Sequence, residues 1–238
     1  MKIRHRTGLS LTSAAKVRER VGQTNAFSLP ASSSVCLYAT PTCSAGCYAK
    51  KGRFRFKYVR NSYHRNWRVL RKARKAGAMA ELLTTALAAE RFALFRIHVS
   101  GEFFSLHYAK AWRLTCREYL SALFWAYTRS RDSRVLKVLA QIPNLRLLLS
   151  CDQDNWRQML QISRQFPGFG LSYYTVGEQP PARLHARADA VAGGLVVFPD
   201  RSVRNRLAIP GTCPTETATA PWPKEGACVK CRRCCRKV

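Results

Sequence analysis

The sequence predicts an α/β fold: a partial (β/α)6 barrel of mainly parallel strands, followed by a cysteine-rich tail that binds metal. Three observations predict it. From residue 95 to 198, short apolar runs rich in aromatic and branched side chains alternate with amphipathic stretches. This is the pattern of right-handed βαβ units on a parallel sheet. The strands number about six, short of the eight of a closed barrel, and an open doubly wound sheet fits the same count. From about Arg201 the periodicity is lost and Pro, Thr and Cys accumulate. The chain accordingly divides into an α/β domain over 1–200 and a tail over 201–238.

The elements follow in order. Residues 26–30 (AFSLP) read as a short strand, then a small-residue loop leads to the first cysteines. From Tyr58 the spacing becomes helical: Val59, Tyr63, Trp67 and Leu70 form an apolar stripe with arginines on the other faces. Gly77 punctuates it, and 79–92 is a second helix. The strand 95–99 (FRIHV) runs into Ser100-Gly101-Glu102, and a helix over 106–120 follows with Ser105 placed to cap it. Residues 124–128 (FWAYT) form a strand, 133–141 a helix stopped by Pro143, and 145–150 (LRLLLS) a strand. Asp152 or Asp154 can cap the next helix, and 169–174 and 190–198 are two further strands.

Hydrophobic residues make up 47% of the 238, enough for a globular core without disulfides. No apolar run approaches the roughly 20 residues that span a bilayer, and the N-terminus lacks the apolar core of a secretory signal. The expectation is a cytoplasmic protein without a membrane partner. Charge narrows the partners further. Lys and Arg total 41 against 13 acids, a net of +28. Residues 1–80 hold 18 Lys/Arg and one acid, Glu19, and 12 of those cations fall in 50–75. Such a field attracts polyanions, so nucleic acid is the expected partner, although a solvated basic face has the same composition.

The ten cysteines cluster: Cys36, Cys43 and Cys47; five from Cys213 to Cys235; Cys116 and Cys151 alone. In a reducing compartment such clusters bind metal more often than they form disulfides. Three thiolates on one loop, with no histidine nearby, suit three irons of a [4Fe–4S] cluster whose fourth iron stays open; zinc would want a fourth protein ligand or a water. The tail reads Cys213-x14-Cys228-x2-Cys231-x2-Cys234-Cys235. Four ligands are chosen most simply as Cys213, Cys228, Cys231 and Cys234, for a second metal centre that is either zinc or iron–sulfur.

Ligands of parallel α/β proteins sit at the carboxyl ends of strands. The cysteine loop, Ser100-Gly101-Glu102, Arg129 and Cys151 to Asp154 would therefore share one mouth. For Glu102 the competing reading is an acid favoured at a helix start. His98 could simply pack under the next helix, and Cys116 is core.

Here the chain resembles known families. The three-cysteine loop ending Cys47-Tyr48-Ala49 and the Ser100-Gly101-Glu102 after the second strand resemble the layout of radical S-adenosylmethionine (SAM) enzymes. More closely, Thr7-Gly8-Leu9-Ser10, the run from Phe95 to Phe104 and that from Phe124 to Ser130 resemble the phage gene-product-88 family, over most of the chain. The radical SAM resemblance implies SAM on the open iron, with Ser100, Gly101 and Glu102 at its amino end and Arg129 offsetting its carboxylate. It departs from that family in cysteine spacing (six and three residues between), in Gly46 before Cys47, and in Ser100 for the first Gly. The implied function is an iron–sulfur enzyme acting on nucleic acid or a nucleotide-bearing substrate, its catalytic residues unassigned. The alternative is a non-catalytic, metal-stapled nucleic-acid-binding protein.

Overall fold

Among the described residues, six strands form one parallel sheet in chain order: β1 (Ala26–Phe27), β2 (Leu94–Ile97), β3 (Leu123–Thr128), β4 (Leu145–Cys151), β5 (Gly170–Thr175) and β6 (Val196–Pro199). The structure, a computed structural model, describes residues 7–16, 23–189, 194–200, 210–216 and 226–235. Its α-helices are α1 (Pro41–Gly46), α2 (Lys57–Ala73), α3 (Ala76–Leu87), α4 (Leu106–Arg117), α5 (Ser133–Ala140), α6 (Trp156–Gln165), α7 (Ala182–Asp189) and α8 (Ala227–Cys231). No helix among the described residues is long and apolar enough to cross a membrane.

Strand order never reverses, so the doubly wound alternative, which needs a switch point, does not apply. The sheet is open, with β1 and β6 as its edges. Each edge is partly occupied: Thr12 bridges Ala26 antiparallel and Thr212 bridges Val197 parallel, which limits the unpaired backbone an edge would present.

Strand alternation assigns the two faces. Phe95, Ile97, Phe124, Ala126, Leu147, Leu149, Leu171 and Val197 point to one side and share a core with Leu83 and Leu87 of α3, Trp112 of α4 and Leu136 of α5. Trp112 is its centre, with Phe27 edge-on at 5.8 Å and Phe95 at 6.2 Å between ring centroids. Such pairs add about 0.5–1.5 kcal/mol each beyond area burial. Leu94, Trp125, Leu148 and Val196 point to the other side, where Cys234 and Cys235 cover them. Strands apolar on both faces need two covers, and residues 226–235 supply part of the second.

Most helix expectations hold. Ser105 accepts from Tyr108 N at 3.2 Å and caps α4. In α2 the buried residues are Val59, Ser62, Tyr63, Asn66 and Leu70, whereas Trp67 is only half-buried, with Arg71 over its ring at 5.2 Å. Asn66 takes the inward position because it is satisfied there. It accepts from Ser10 N (2.8 Å) and donates to the carbonyls of Ser10 (2.9 Å) and Ser28 (3.0 Å). Neither Asp152 nor Asp154 caps α6, which begins after Asn155 without a side-chain cap; both aspartates are used elsewhere. Helix α7 was not expected. Residues 190–193 of the expected last strand lie outside the described residues.

Candidate functional site

The loop after β1 carries the first cysteine group: Cys36 precedes α1, Cys43 lies in it and Cys47 is its C-cap. Thr40 starts this helix: its hydroxyl accepts from Cys43 N at 3.0 Å, and Pro41 takes the first helical position, where a missing N–H costs nothing. The same hydroxyl donates to Asp152 Oδ2 at 2.6 Å. Asp154 Oδ2 accepts from Thr42 N at 2.9 Å, and Gln153 Nε2 donates to Thr42 Oγ1 at 3.0 Å. The residues after β4 thus clamp the cysteine helix from across the sheet. Gly46, next to Cys47, lies where a Cβ would run into the Tyr174 hydroxyl of β5, which draws this end of the loop over the mouth. Sequence reasoning placed Asp152 and Asp154 at this mouth but missed Thr40, although Thr-Pro before a small-residue run is a helix-start signal.

The mouth holds a buried carboxylate and a buried ion pair. Glu102, 6% exposed, accepts from Phe103 N (2.8 Å), Thr128 Oγ1 (2.9 Å) and Arg129 N (2.7 Å). Burial raises its carboxyl above the usual range, and the backbone hydrogen bonds from Arg129 and Phe103 pull it back. Three of its roughly four acceptor positions are filled from within the chain. Arg129 Nη1 donates to Asp152 Oδ2 at 2.6 Å, and both side chains are buried. Arg129 therefore already has a counter-ion.

The thiols sit in this field. Burial pushes Cys36 up to about 12, with the charges of Glu102, Cys43 and Cys47 adding to it and Lys50 opposing. Burial also raises Cys43, against the pull of Arg129 and with the push of Cys47 and Asp152. Cys36 and Cys43 thus feel the charge of Cys47 and of Glu102. A bound cation would reverse this cost, because it stabilises the thiolate.

Ser100 and Gly101 have structural duties. The Ser100 carbonyl accepts from Leu29 N at 2.8 Å, tying the ends of β1 and β2 together. Gly101 has φ +94°, and a Cβ there would lie 2.5 Å from Leu29 Cβ. His98, also in the left-handed region at φ 64°, turns under α4. Its Nε2 is 2.9 Å from the Tyr108 hydroxyl and its ring meets Phe103 edge-on. That is the core-packing role weighed for it. Cys116 is buried among core aromatics, and Cys151 is buried with its thiol donating to the Ser172 carbonyl at 3.1 Å.

The tail cysteines meet on the other face of the sheet. Cys213, Cys228, Cys231 and Cys234 line a void of about 20 Å³ together with Trp125 and Val196, which is room for about one water-sized sphere. Burial raises Cys228 to about 11 and Cys234 to about 12; Arg96 pulls the first down and a Tyr127 hydrogen bond the second. Trp125 Nε1 is buried without a hydrogen-bond partner, a donor that a metal-bound sulfur beside it would satisfy. All ten cysteines are free thiols. Among the described residues, no three Cys, His, Asp or Glu side chains form a preshaped site for one metal ion. An iron–sulfur cube holds each cysteine on a different iron, so the first group needs proximity rather than a shared centre. A single zinc in the tail would require its four sulfurs to close to about 2.3 Å from it. The donors are soft sulfurs, with Lys50 and Arg129 acting on the first group and Arg96 and Lys16 on the second, the chemistry that thiophilic metals require.

Comparison with known proteins gives the lineage. The family model described as Gene product 88 matches residues 4–237. The chain is 32% identical over 160 residues to the Gene 88 protein of Mycobacterium phage D29, covering 64% of this chain and 65% of that protein. It is 34% identical over 143 residues to the Gene 88 protein of Mycobacterium phage L5, covering 57% and 60%. These matches span just under two thirds of the curated relatives' length. No solved structure matches. With the family model running almost from end to end of the sheet, cysteine loop and tail, the chain belongs to the Gene product 88 family.

Proposed function

We propose that the protein is a cytoplasmic iron–sulfur enzyme of radical-SAM-like design, acting on nucleic acid or a nucleotide-bearing substrate. One observation carries the reading: at the carboxyl end of a parallel sheet wound in chain order, the loop of Cys36, Cys43 and Cys47 is pinned through Thr40 and Thr42 to Asp152 and Asp154, and Asp152 pairs with Arg129, whose backbone holds the buried Glu102. On this reading the open sheet is part of a (β/α)6 barrel. Cys36, Cys43 and Cys47 would hold a [4Fe–4S] cluster. Such a cluster, when bound, supplies an open iron for SAM and an electron at low potential. The chain's own residues position it: Thr40 and Asp154 fix α1, and Lys50 offsets thiolate charge. Glu102 keeps about one acceptor position for an ammonium, while a ligand carboxylate would compete with Asp152 for Arg129. The net charge of +28 supports a polyanionic substrate.

A second reading, a non-catalytic nucleic-acid-binding protein stapled by metal, draws on the tail. Cys213, Cys228, Cys231 and Cys234 line one void of about 20 Å³, and closing in on it would give a single zinc ion four thiolate ligands.

Metal analysis and a visible spectrum of anaerobically purified protein separate the two. The first reading expects a brown protein with about four irons lost in a Cys36→Ala/Cys43→Ala/Cys47→Ala variant, and SAM binding by the parent. Full iron retention in that variant removes the site assignment, and zinc alone with no colour favours the second reading. Absence of SAM binding removes SAM and leaves the cluster.

A further inference from the structure

Four large apolar side chains stand exposed in one stretch of the chain: Leu37, Tyr48, Phe56 and Tyr58, at 55, 52, 54 and 65%. Single exposed aromatics are ordinary. Phe56 and Tyr58 differ because they stack on each other, with ring centroids 5.8 Å apart and planes 27° apart. They sit at the start of α2, Phe56 just before the helix and Tyr58 at its second residue. The apolar stripe of that helix begins only at Val59, so Tyr58 faces solvent while Val59 and Tyr63 face the core.

The surroundings are wholly basic. Lys50, Lys51, Arg53, Arg55, Lys57 and Arg60 are all exposed, and no Asp or Glu occurs in the sequence between Glu19 and Glu81. The segment also adjoins the candidate site. Tyr48 directly follows Cys47, its hydroxyl donates to the Val99 carbonyl at the end of β2, and its ring meets Phe54 edge-on at 5.6 Å.

Cations alone would hold any polyanion, by counterion release. Two exposed, stacked rings add a requirement for flat partners with free faces. Bases in a duplex are already stacked on their neighbours, whereas unpaired bases present both faces. We infer that Phe56 and Tyr58 are a base-stacking platform which, with the flanking cations, binds single-stranded nucleic acid beside the mouth that holds Cys36, Cys43 and Cys47. This rests on the nucleic-acid reading above and gives it a place and a strand preference.

The test is fluorescence anisotropy with the full, metal-loaded chain, a labelled single strand of about 12 nucleotides and its duplex, over a range of salt. The parent should favour the single strand. Phe56→Ala/Tyr58→Ala should weaken it by roughly ten- to a hundred-fold with an unchanged salt slope. Tyr58→Phe, which keeps the ring, should bind within about two-fold of the parent. Arg53→Ala/Arg55→Ala should instead lower the salt slope by about 1.5. Both rings are exposed, so an unchanged circular dichroism melt accompanies the double variant. If that variant binds the single strand as tightly as the parent, or if the parent prefers duplex, the platform is overturned while nucleic-acid binding stands. If the parent binds neither nucleic acid, both fall. If polyglutamate or anionic vesicles compete equally with the strand, the partner is not nucleic acid and the inference is overturned.

Discussion

Gly101→Ala separates two roles that one glycine in a Ser-Gly-Glu turn could have: room for a ligand, or room for the fold. At φ +94° an alanine is strained by about 1–3 kcal/mol. Its Cβ would lie 2.5 Å from Leu29 Cβ and 3.1 Å from Leu29 Cα, well inside the 3.5–4.0 Å optimum for carbon contacts. The clash is with a backbone-proximal carbon next to the edge strand β1, so relief means moving that strand's end, at about 1–3 kcal/mol. The sum is about 2–6 kcal/mol. With a urea dependence of about 2–3 kcal/mol per molar for a chain of this size, the midpoint should fall by about 0.7–3 M. Urea titration of parent and variant followed by far-ultraviolet circular dichroism measures it. A midpoint unchanged within about 0.2 M, coupled with lost SAM binding, would refute the packing argument and assign Gly101 to ligand.

Two further predictions follow from the same region. His98 is held neutral, down to about 3, first by burial and then by the charge of Arg96. Its folded value is below the unfolded value of 6.5, so the stability linked to it is complete above pH 6.5 and is lost as pH falls towards 3, at about 1.4 kcal/mol per pH unit. His98→Asn, which tolerates the left-handed backbone, should flatten urea midpoints measured between about pH 4 and 6; an unaltered slope would sink the assignment. Arg129→Met strands Asp152 with no counter-ion and should cost about 3–5 kcal/mol, less when combined with Asp152→Asn. A double-mutant cycle that comes out additive would show that the pair is not coupled.

Much of this architecture was legible from periodicity. Short apolar runs alternating with amphipathic stretches located β2 to β5 to within a residue or two, because each strand is long enough to repeat its pattern. Strand β1 is legible at Ala26, but with only two paired residues it does not show where it ends, and the expected strand runs on to Pro30; α7 follows two prolines with little apolar contrast and gave no signal. Convergence of Glu102, Arg129 and the cysteine loop at one mouth followed from the strand-end rule. What the rule could not supply was the wiring: that Arg129 spends its charge on Asp152, that Glu102 ties down β3, and that Thr40 links α1 to β4. Those are pairings between residues 23 to 112 positions apart, which spacing along a chain does not encode. Tyr58, one residue before Val59, faces solvent, although aromatics at helical spacing more often belong to a buried stripe.

The cover that Cys234 and Cys235 give Trp125 also bears on the order in which the molecule assembles. Every strand pairs with its neighbour in the chain, so from β2 onward the helix-side core closes over shorter sequence separations than the other face does. Trp125 meets its cysteine cover across roughly a hundred residues, and until that segment docks, Leu94, Trp125, Leu148 and Val196 stay bare. We expect that docking to come last, and a half-covered species before it to be the one prone to aggregate.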